Sequence, residues 1–277
     1  MRAAEIFEVD DLIFLEPNLD SMDQQFFNEQ MAMMPAERGK VLINEDDWPI
    51  AAAMYDGGWK VGTFLYRGLS EAIIERLEEM EISIKRVDPG EWEAAVREYY
   101  CHRLMEQMSP YPEDLNSERA EKIRDLMVDV WGNELNGICL DVGCGSGMGS
   151  IVIRELGMTP LAYDNDPALL SLGLQKGRLL PEETALLDAT IASSFIRPAP
   201  RALILMAGEI NLISMAIWRG IIADTIHLAE RTLVTTGTEQ ECRTVAAWAR
   251  EEGCEPRVFE NDRDAFYDHW VCDIVRP

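Results

Sequence analysis

The stretch LDVGCGSGMGS (140–150) narrows the folds open to this chain more than any other segment. It closes the apolar run NGICLDV (136–142), and glycines at 143, 145, 147 and 149 follow Asp141 at alternate positions. Residues 146–156 then read as a helix. A buried strand that runs through a glycine turn into a helix opens a βαβ unit. The glycines let main-chain N–H groups come close to a ligand at the strand's carboxyl end.

The rest of the C-terminal part keeps the same alternation. TPLAYD (159–164) is a strand, and Pro167 begins a helix through about Gly177, since proline suits a first helical turn. ETALLD (183–188), RALILMA (201–207) and RTLVTT (231–236) are three more strands. A helical stretch over 208–229, broken near Gly220, separates the last two. Residues 239–252 form a helix ended by Gly253. PRVFE (256–260) and HWVCDIV (269–275) close the chain, and their short connection predicts an antiparallel edge pair. The pattern predicts an α/β fold with a doubly wound, mostly parallel sheet covered on both faces.

Ahead of it the chain reads differently. PIAAAMY and GWKVGTFLY flank Asp56-Gly57-Gly58, a hairpin signal. A helix (69–80), a strand (81–87) and a second helix (90–107) follow. Trp92, Ala95, Val96 and Tyr99 make one apolar face of that last helix and read as core. SPYPEDLN (109–116), with two prolines, marks a boundary, and Asn116 or Ser117 caps a helix through Trp131. The expected organisation is a smaller α+β companion over 1–108 and the doubly wound domain over 109–277.

Composition narrows the partners. Fifty acids against 25 bases give a net charge of −25, a field that repels nucleic acid and anionic lipid. No apolar run approaches the roughly 18 residues of a spanning helix. The expectation is a cytoplasmic protein that binds neither nucleic acid nor membrane, with a homo-oligomer open. Cys101, Cys139, Cys144, Cys242, Cys254 and Cys272 form no CxxC pair and read as buried thiols.

Three ligand classes use glycine turns of this kind. A nucleoside triphosphate loop needs a lysine after its last glycine, and this one has none. The dinucleotide pattern G-x-G-x-x-G puts its third glycine on Met148 or Ser150, depending on the starting glycine. Asp141 decides further, because a carboxylate beside a helix N-terminus repels pyrophosphate and attracts an ammonium or sulfonium group.

Asp141-x-Gly143-x-Gly145-x-Gly147 resembles the first motif of the class I S-adenosylmethionine-dependent methyltransferases. The resemblance covers roughly residues 116–277 and implies that family's seven-stranded, Rossmann-like sheet with S-adenosyl-L-methionine as cofactor. It further implies that the loop Gly143, Cys144, Gly145 and Gly147 packs on the cofactor and that Asp141 serves its amino group. Asp164, with Asn165 beside it, falls where the family places the acid for both ribose hydroxyls. Asp188 and Ala189 fall where it contacts the adenine. Each acid also has a plain structural reading: Asp141 as a loop-fixing group, Asp164 and Asp166 as turn formers, Asp188 as a helix cap.

The acceptor is less marked. After the fourth strand of the family's sheet, enzymes that methylate base or glutamine nitrogens carry [DN]-P-P-[YF]. Here Ala207-Gly208-Glu209-Ile210-Asn211 stands instead, and no proline–cysteine pair of a cytosine enzyme is present. Glu209 is the candidate general base and Asn211 the group that orients the acceptor. Tyr100, with Tyr99 and His102, is a candidate near the methyl group. His227 and His269 read as structural, and no metal site is expected, since Asp164-x-Asp166 has no third ligand at metal spacing. The expected activity is methyl transfer to a small molecule or protein side chain. Aminopropyl or aminocarboxypropyl transfer from the same cofactor, or an inactive cofactor-binding scaffold, are the alternatives.

Overall fold

A computed structural model describes all 277 residues, in two compact units, Met1–Arg103 and Leu104–Pro277. The division falls inside the helix Pro89–Gln107, ahead of the proline-rich segment.

The first unit contains α1 (Arg2–Phe7), β1 (Ile13–Phe14), α2 (Phe26–Ala32), β2 (Arg38–Ile43), β3 (Pro49–Tyr55), β4 (Trp59–Thr63), α3 (Glu71–Glu78), β5 (Glu81–Arg86) and most of α4 (Pro89–Gln107). Its five strands form one sheet in the order β1-β4-β3-β2-β5. The expected hairpin is β3–β4, with Tyr55 opposite Trp59 and Gly57 supplying the positive φ the turn needs. The apolar face of α4 is buried as its spacing requires, and Trp92 packs edge-on to Phe7 and stacks on Phe14. Glu16 and Arg67 form a fully buried ion pair at 2.5 Å.

The second unit begins with the end of α4 and an irregular segment, then α5 (Ser117–Trp131), β6 (Ile138–Val142), α6 (Met148–Glu155), β7 (Thr159–Asp164), α7 (Pro167–Gln175), β8 (Thr184–Leu186), β9 (Ala199–Ile204), α8 (Met215–Leu228), β10 (Ala229–Thr236), α9 (Glu239–Glu251), β11 (Glu255–Glu260) and β12 (Trp270–Val275). The cap predicted for α5 is present: the Asn116 side chain accepts from Arg119 N–H. Seven strands form one sheet ordered β11-β12-β10-β9-β6-β7-β8. β6 to β10 pair with one another in parallel, and β12 runs antiparallel to both β10 and β11. The closing pair is therefore a strand inserted into the sheet plus the edge strand β11. The fold is the doubly wound, mostly parallel seven-stranded sheet expected, with a smaller five-stranded sheet ahead of it.

Cys139, Leu203, Leu233 and Val271 fill the centre of the large sheet beneath Ile123 and Met127 of α5 and Val152 and Ile153 of α6. All six cysteines are buried, and none forms a disulfide. No helix is long and apolar enough to cross a membrane.

Two local expectations need correction. The helix expected over 208–229 starts only at Met215 and runs unbroken through Gly220. Met206 and Glu209 take left-handed φ values of 56° and 55°, which a helix cannot accommodate, and the Asn211 side chain accepts from Ile213 N–H at 2.8 Å to start the turn into α8. Gly220 stays helical, since a glycine inside a helix costs only about 1 kcal/mol relative to alanine. The strand expected over 183–188 is also shorter, because the Asp188 side chain already caps the 3-10 turn Ala189–Ser194.

Candidate functional site

Strand β6 lies in the interior of the large sheet, between β9 and β7. The chain runs outward from it through β7 and β8, then crosses back to β9 and β10. Ligands of open α/β sheets bind at the carboxyl ends of the strands where the order reverses. Asp141 sits near the end of β6, Asp164 ends β7, and Asp188 follows β8. All three line one cavity of about 700 Å³, within the usual range of small-molecule sites.

The glycine loop between β6 and α6 forms one wall. Gly143, Gly145 and Gly147 have φ values of 64°, 54° and 90°, a run that residues with a Cβ adopt only at a cost. The loop is tied to β7: Gly143 N–H and Cys144 N–H donate to the Tyr163 carbonyl at 2.9 and 3.1 Å, and Gly145 N–H donates to Asp164 Oδ2 at 2.8 Å. A Cβ built on Gly143 would meet nothing within 4 Å, so the loop presents bare backbone there. Gly149 serves a different purpose. A Cβ at that position would lie 2.5 Å from Asp141 Oδ1, so glycine is what lets α6 pack directly on the carboxylate.

Asp141 is 2% exposed and accepts a hydrogen bond from Ser150 Oγ at 2.7 Å. Burial pushes its pKa up to about 6, against the pull of the Ser150 hydrogen bond and with a further push from the Asp164 charge. Burial also raises Asp164, opposed by the N–H groups of Asp166 and Gly145, which donate to its two oxygens. Asp188 is exposed and spends Oδ1 on the Thr190 N–H and hydroxyl, each at 2.8 Å. The cap and turn readings of Asp164 and Asp188 therefore both hold, and both residues also face the cavity.

Of the other residues singled out beforehand, Cys144, Asn165 and Ala189 line the cavity. Gly147 does not; a Cβ there would lie 2.7 Å from Leu179, so it is needed for packing behind the loop. Glu209 and Asn211 stand on the exposed segment after β9, outside the lining. Asn211 is committed to the turn described above, and the Glu209 main-chain oxygen accepts from the Ser214 hydroxyl. Tyr100 belongs to the first unit, where its hydroxyl donates to the Glu16 carbonyl at 2.7 Å and burial pushes its pKa up. That hydroxyl is engaged in holding its own unit together. No group of three or more His, Cys, Asp or Glu side chains is placed to share a metal ion.

Sequence reasoning missed the second wall. The segment before α5 is strapped onto the glycine loop: Ser146 Oγ donates to Asp114 Oδ1 at 2.8 Å, and the buried Arg178 donates to Glu113 at 2.9 Å and to Asp114 at 3.2 Å. Asp114, Asn116 and Arg119 consequently line the cavity, and Met206, Ile217 and Trp218 line it on the β9 side. The polar run EDLN ahead of a capped helix is the only signal of this in the sequence. It reads equally well as a solvated linker.

No protein-family model matches the chain, and no curated protein matches it. Several solved structures are similar. One is the magnesium protoporphyrin IX methyltransferase of Synechocystis PCC 6803 with bound SAM, at 14% identity and a TM-score of 0.46 over 67% of this chain and 97% of that one. The N-methyltransferase NodS of Bradyrhizobium japonicum WM9 is 14% identical with a TM-score of 0.45, over 60% of this chain and 99% of that one. A precorrin 8W decarboxylase of Methanobacterium thermoautotrophicum is 20% identical with a TM-score of 0.40, over 61% of this chain and 94% of that one.

Proposed function

We propose that the Leu104–Pro277 unit binds S-adenosyl-L-methionine in the cavity above β6, β7 and β8 and transfers its methyl group to a small molecule or a protein side chain. The support is the lining itself: carboxylates at the ends of three adjacent strands, beside a bare-backbone glycine loop. Such a cavity suits a ligand with a cationic tail and a nucleoside, and it disfavours a pyrophosphate. The lined volume and the open side of Gly143 fit S-adenosyl-L-methionine.

Within this reading Asp141 holds the amino group of the amino-acid tail, and its burial makes that contact strong because little water competes. Asp164 accepts from the ribose hydroxyls with the lone pairs its two backbone contacts leave over. Asp188, through the oxygen that the turn does not use, and Ala189 meet the adenine edge. When bound, the cofactor supplies an electrophilic methyl group on sulfur. The chain's task is then mainly to align an acceptor with it and keep water out. Glu209 is the general base of this reading, on an exposed lip where its carboxylate can take a proton from an acceptor hydroxyl or amine. Asn211 serves the lip by fixing its turn. The net charge of −25 favours acceptors other than nucleic acid.

Product analysis tests the reaction. Incubation with the cofactor and a candidate acceptor should release S-adenosylhomocysteine. Release of methylthioadenosine would instead mean that the aminopropyl or aminocarboxypropyl arm is transferred. Mass spectrometry of ligands that co-purify with the protein is the direct route to the acceptor.

A further inference from the structure

The cavity carries an electrostatic imbalance that the reading above does not resolve. Asp114, Asp141, Asp164 and Asp188 all line it, and the one lining side chain with a positive charge is Arg119. An amino-acid tail has a carboxylate as well as an ammonium group, and in such surroundings an unpaired carboxylate would be repelled.

Arg119 is held firmly and in a suitable place. It lies in the first turn of α5, shortly after the strap that Ser146 ties to the glycine loop. Its Nε and Nη2 donate to Asp268 Oδ2 and Oδ1 at 2.7 and 3.1 Å. Asp268 is 1% exposed and also accepts from the Thr235 hydroxyl at 2.5 Å. Thr235 Oγ in turn accepts from Met206 N–H at 2.7 Å. The guanidinium is thereby fixed to the β9 and β10 side of the sheet, and Nη1 makes no hydrogen bond within the chain. Asp164 and Asp188 lie on the opposite side of β6, over β7 and β8. A nucleoside seated over β7 and β8 sends its tail across the glycine loop at β6 toward β9, which is where Arg119 stands.

From this arrangement we infer that Arg119, oriented by Asp268 and Thr235, binds the α-carboxylate of the cofactor's amino-acid tail, while Asp141 binds the amino group. Asp268 is a positioning residue: it spends two of the guanidinium's donors to aim the rest. The inference rests on the cofactor assignment proposed above.

The test compares S-adenosylhomocysteine with its decarboxylated analogue by calorimetry, on the full chain and on Arg119 variants. The wild type should prefer the ligand with the carboxylate by at least tenfold. Because Arg119→Gln alone would strand the buried Asp268 charge, the variant to use is Arg119→Gln with Asp268→Asn, checked for an intact fold by its thermal transition. It should bind both ligands within about twofold of each other. Arg119→Lys, which keeps the charge but loses the planar fork, should keep a reduced preference, and it carries the test if the double variant fails to fold. A preference retained in full by these variants would overturn the inference while leaving the cofactor assignment standing. Equal binding of the two ligands by the wild type would do the same. A wild type that binds neither ligand would overturn the cofactor assignment itself and this inference with it.

Discussion

Replacing Asp141 by asparagine should make the protein more stable and its cofactor site weaker. In the folded chain the carboxyl is 2% exposed, and burial lifts its pKa from 3.8 to about 6. The ionised form is thus disfavoured by roughly two pKa units relative to the unfolded chain, or about 3 kcal/mol at 1.36 kcal/mol per unit. The sign follows from the direction of the shift. A raised folded-state pKa contributes stability that is fully present below the unfolded value, near pH 4, and is lost as pH rises through about 6. Above pH 7 the wild type carries the whole cost of the buried charge. Asparagine matches the protonated acid in shape and can accept the Ser150 hydroxyl as Asp141 Oδ2 does, without the charge. Asp141→Asn should therefore raise unfolding stability by about 3 kcal/mol at pH 8, the gain vanishing toward pH 4. Urea unfolding of both proteins across that pH range measures it. Wild-type affinity for S-adenosylhomocysteine should fall about tenfold between pH 7 and pH 5 as Asp141 takes up a proton. Asp164, also raised by burial, adds in the same direction. The variant should bind more weakly at pH 7 and show a shallower pH dependence. A variant no more stable than the wild type at pH 8 would refute the buried-charge account, and a flat wild-type pH profile would refute the contact between Asp141 and a cationic group.

Four further substitutions separate roles within the site. Asp164→Ala should weaken S-adenosylhomocysteine binding by about 1.5–3 kcal/mol per lost charged hydrogen bond without unfolding the chain; unchanged affinity in a folded variant removes Asp164 from the ligand contacts. Gly149→Ala should destabilise the protein by about 1–3 kcal/mol through overpacking, since its Cβ would lie 2.5 Å from Asp141 Oδ1. An unchanged thermal midpoint would show that α6 can move away from the carboxylate. Glu209→Gln should lower kcat by about 100-fold or more if Glu209 is the base, whereas Asn211→Ala should cost stability of about 1 kcal/mol and leave kcat nearly unchanged. Equal effects of the two on kcat would contradict this division of labour.

Local chemistry made much of the fold legible beforehand. The glycine loop, Pro167, the Asn116 cap and the strand–helix alternation each act over a few residues, and each element of the large sheet lies close to where those signals place it. Met206 and Glu209 show the limit: a left-handed residue other than glycine is set by tertiary contacts such as the Met206 N–H bond to Thr235, so nothing nearby in sequence announces that the helix begins late. The elements from α1 to β2 have too short or too mixed an apolar pattern to stand out, and β1 is only two residues long. The candidate site divides in the same way. Asp141, Asp164 and Asp188 sit at or just after the ends of strands and can be read from them. Asp114 meets Ser146 across 32 positions and Arg119 meets Asp268 across 149, and pairings of that span exist only once the sheet has formed.

The acidic cavity beside the glycine loop should accept a cationic nucleoside cofactor and reject a pyrophosphate. Calorimetric titration of the full chain with S-adenosylhomocysteine and, separately, with NAD tests this most directly. The expected result is a micromolar dissociation constant for S-adenosylhomocysteine and no measurable heat of binding for NAD. Tighter binding of NAD than of S-adenosylhomocysteine would contradict it.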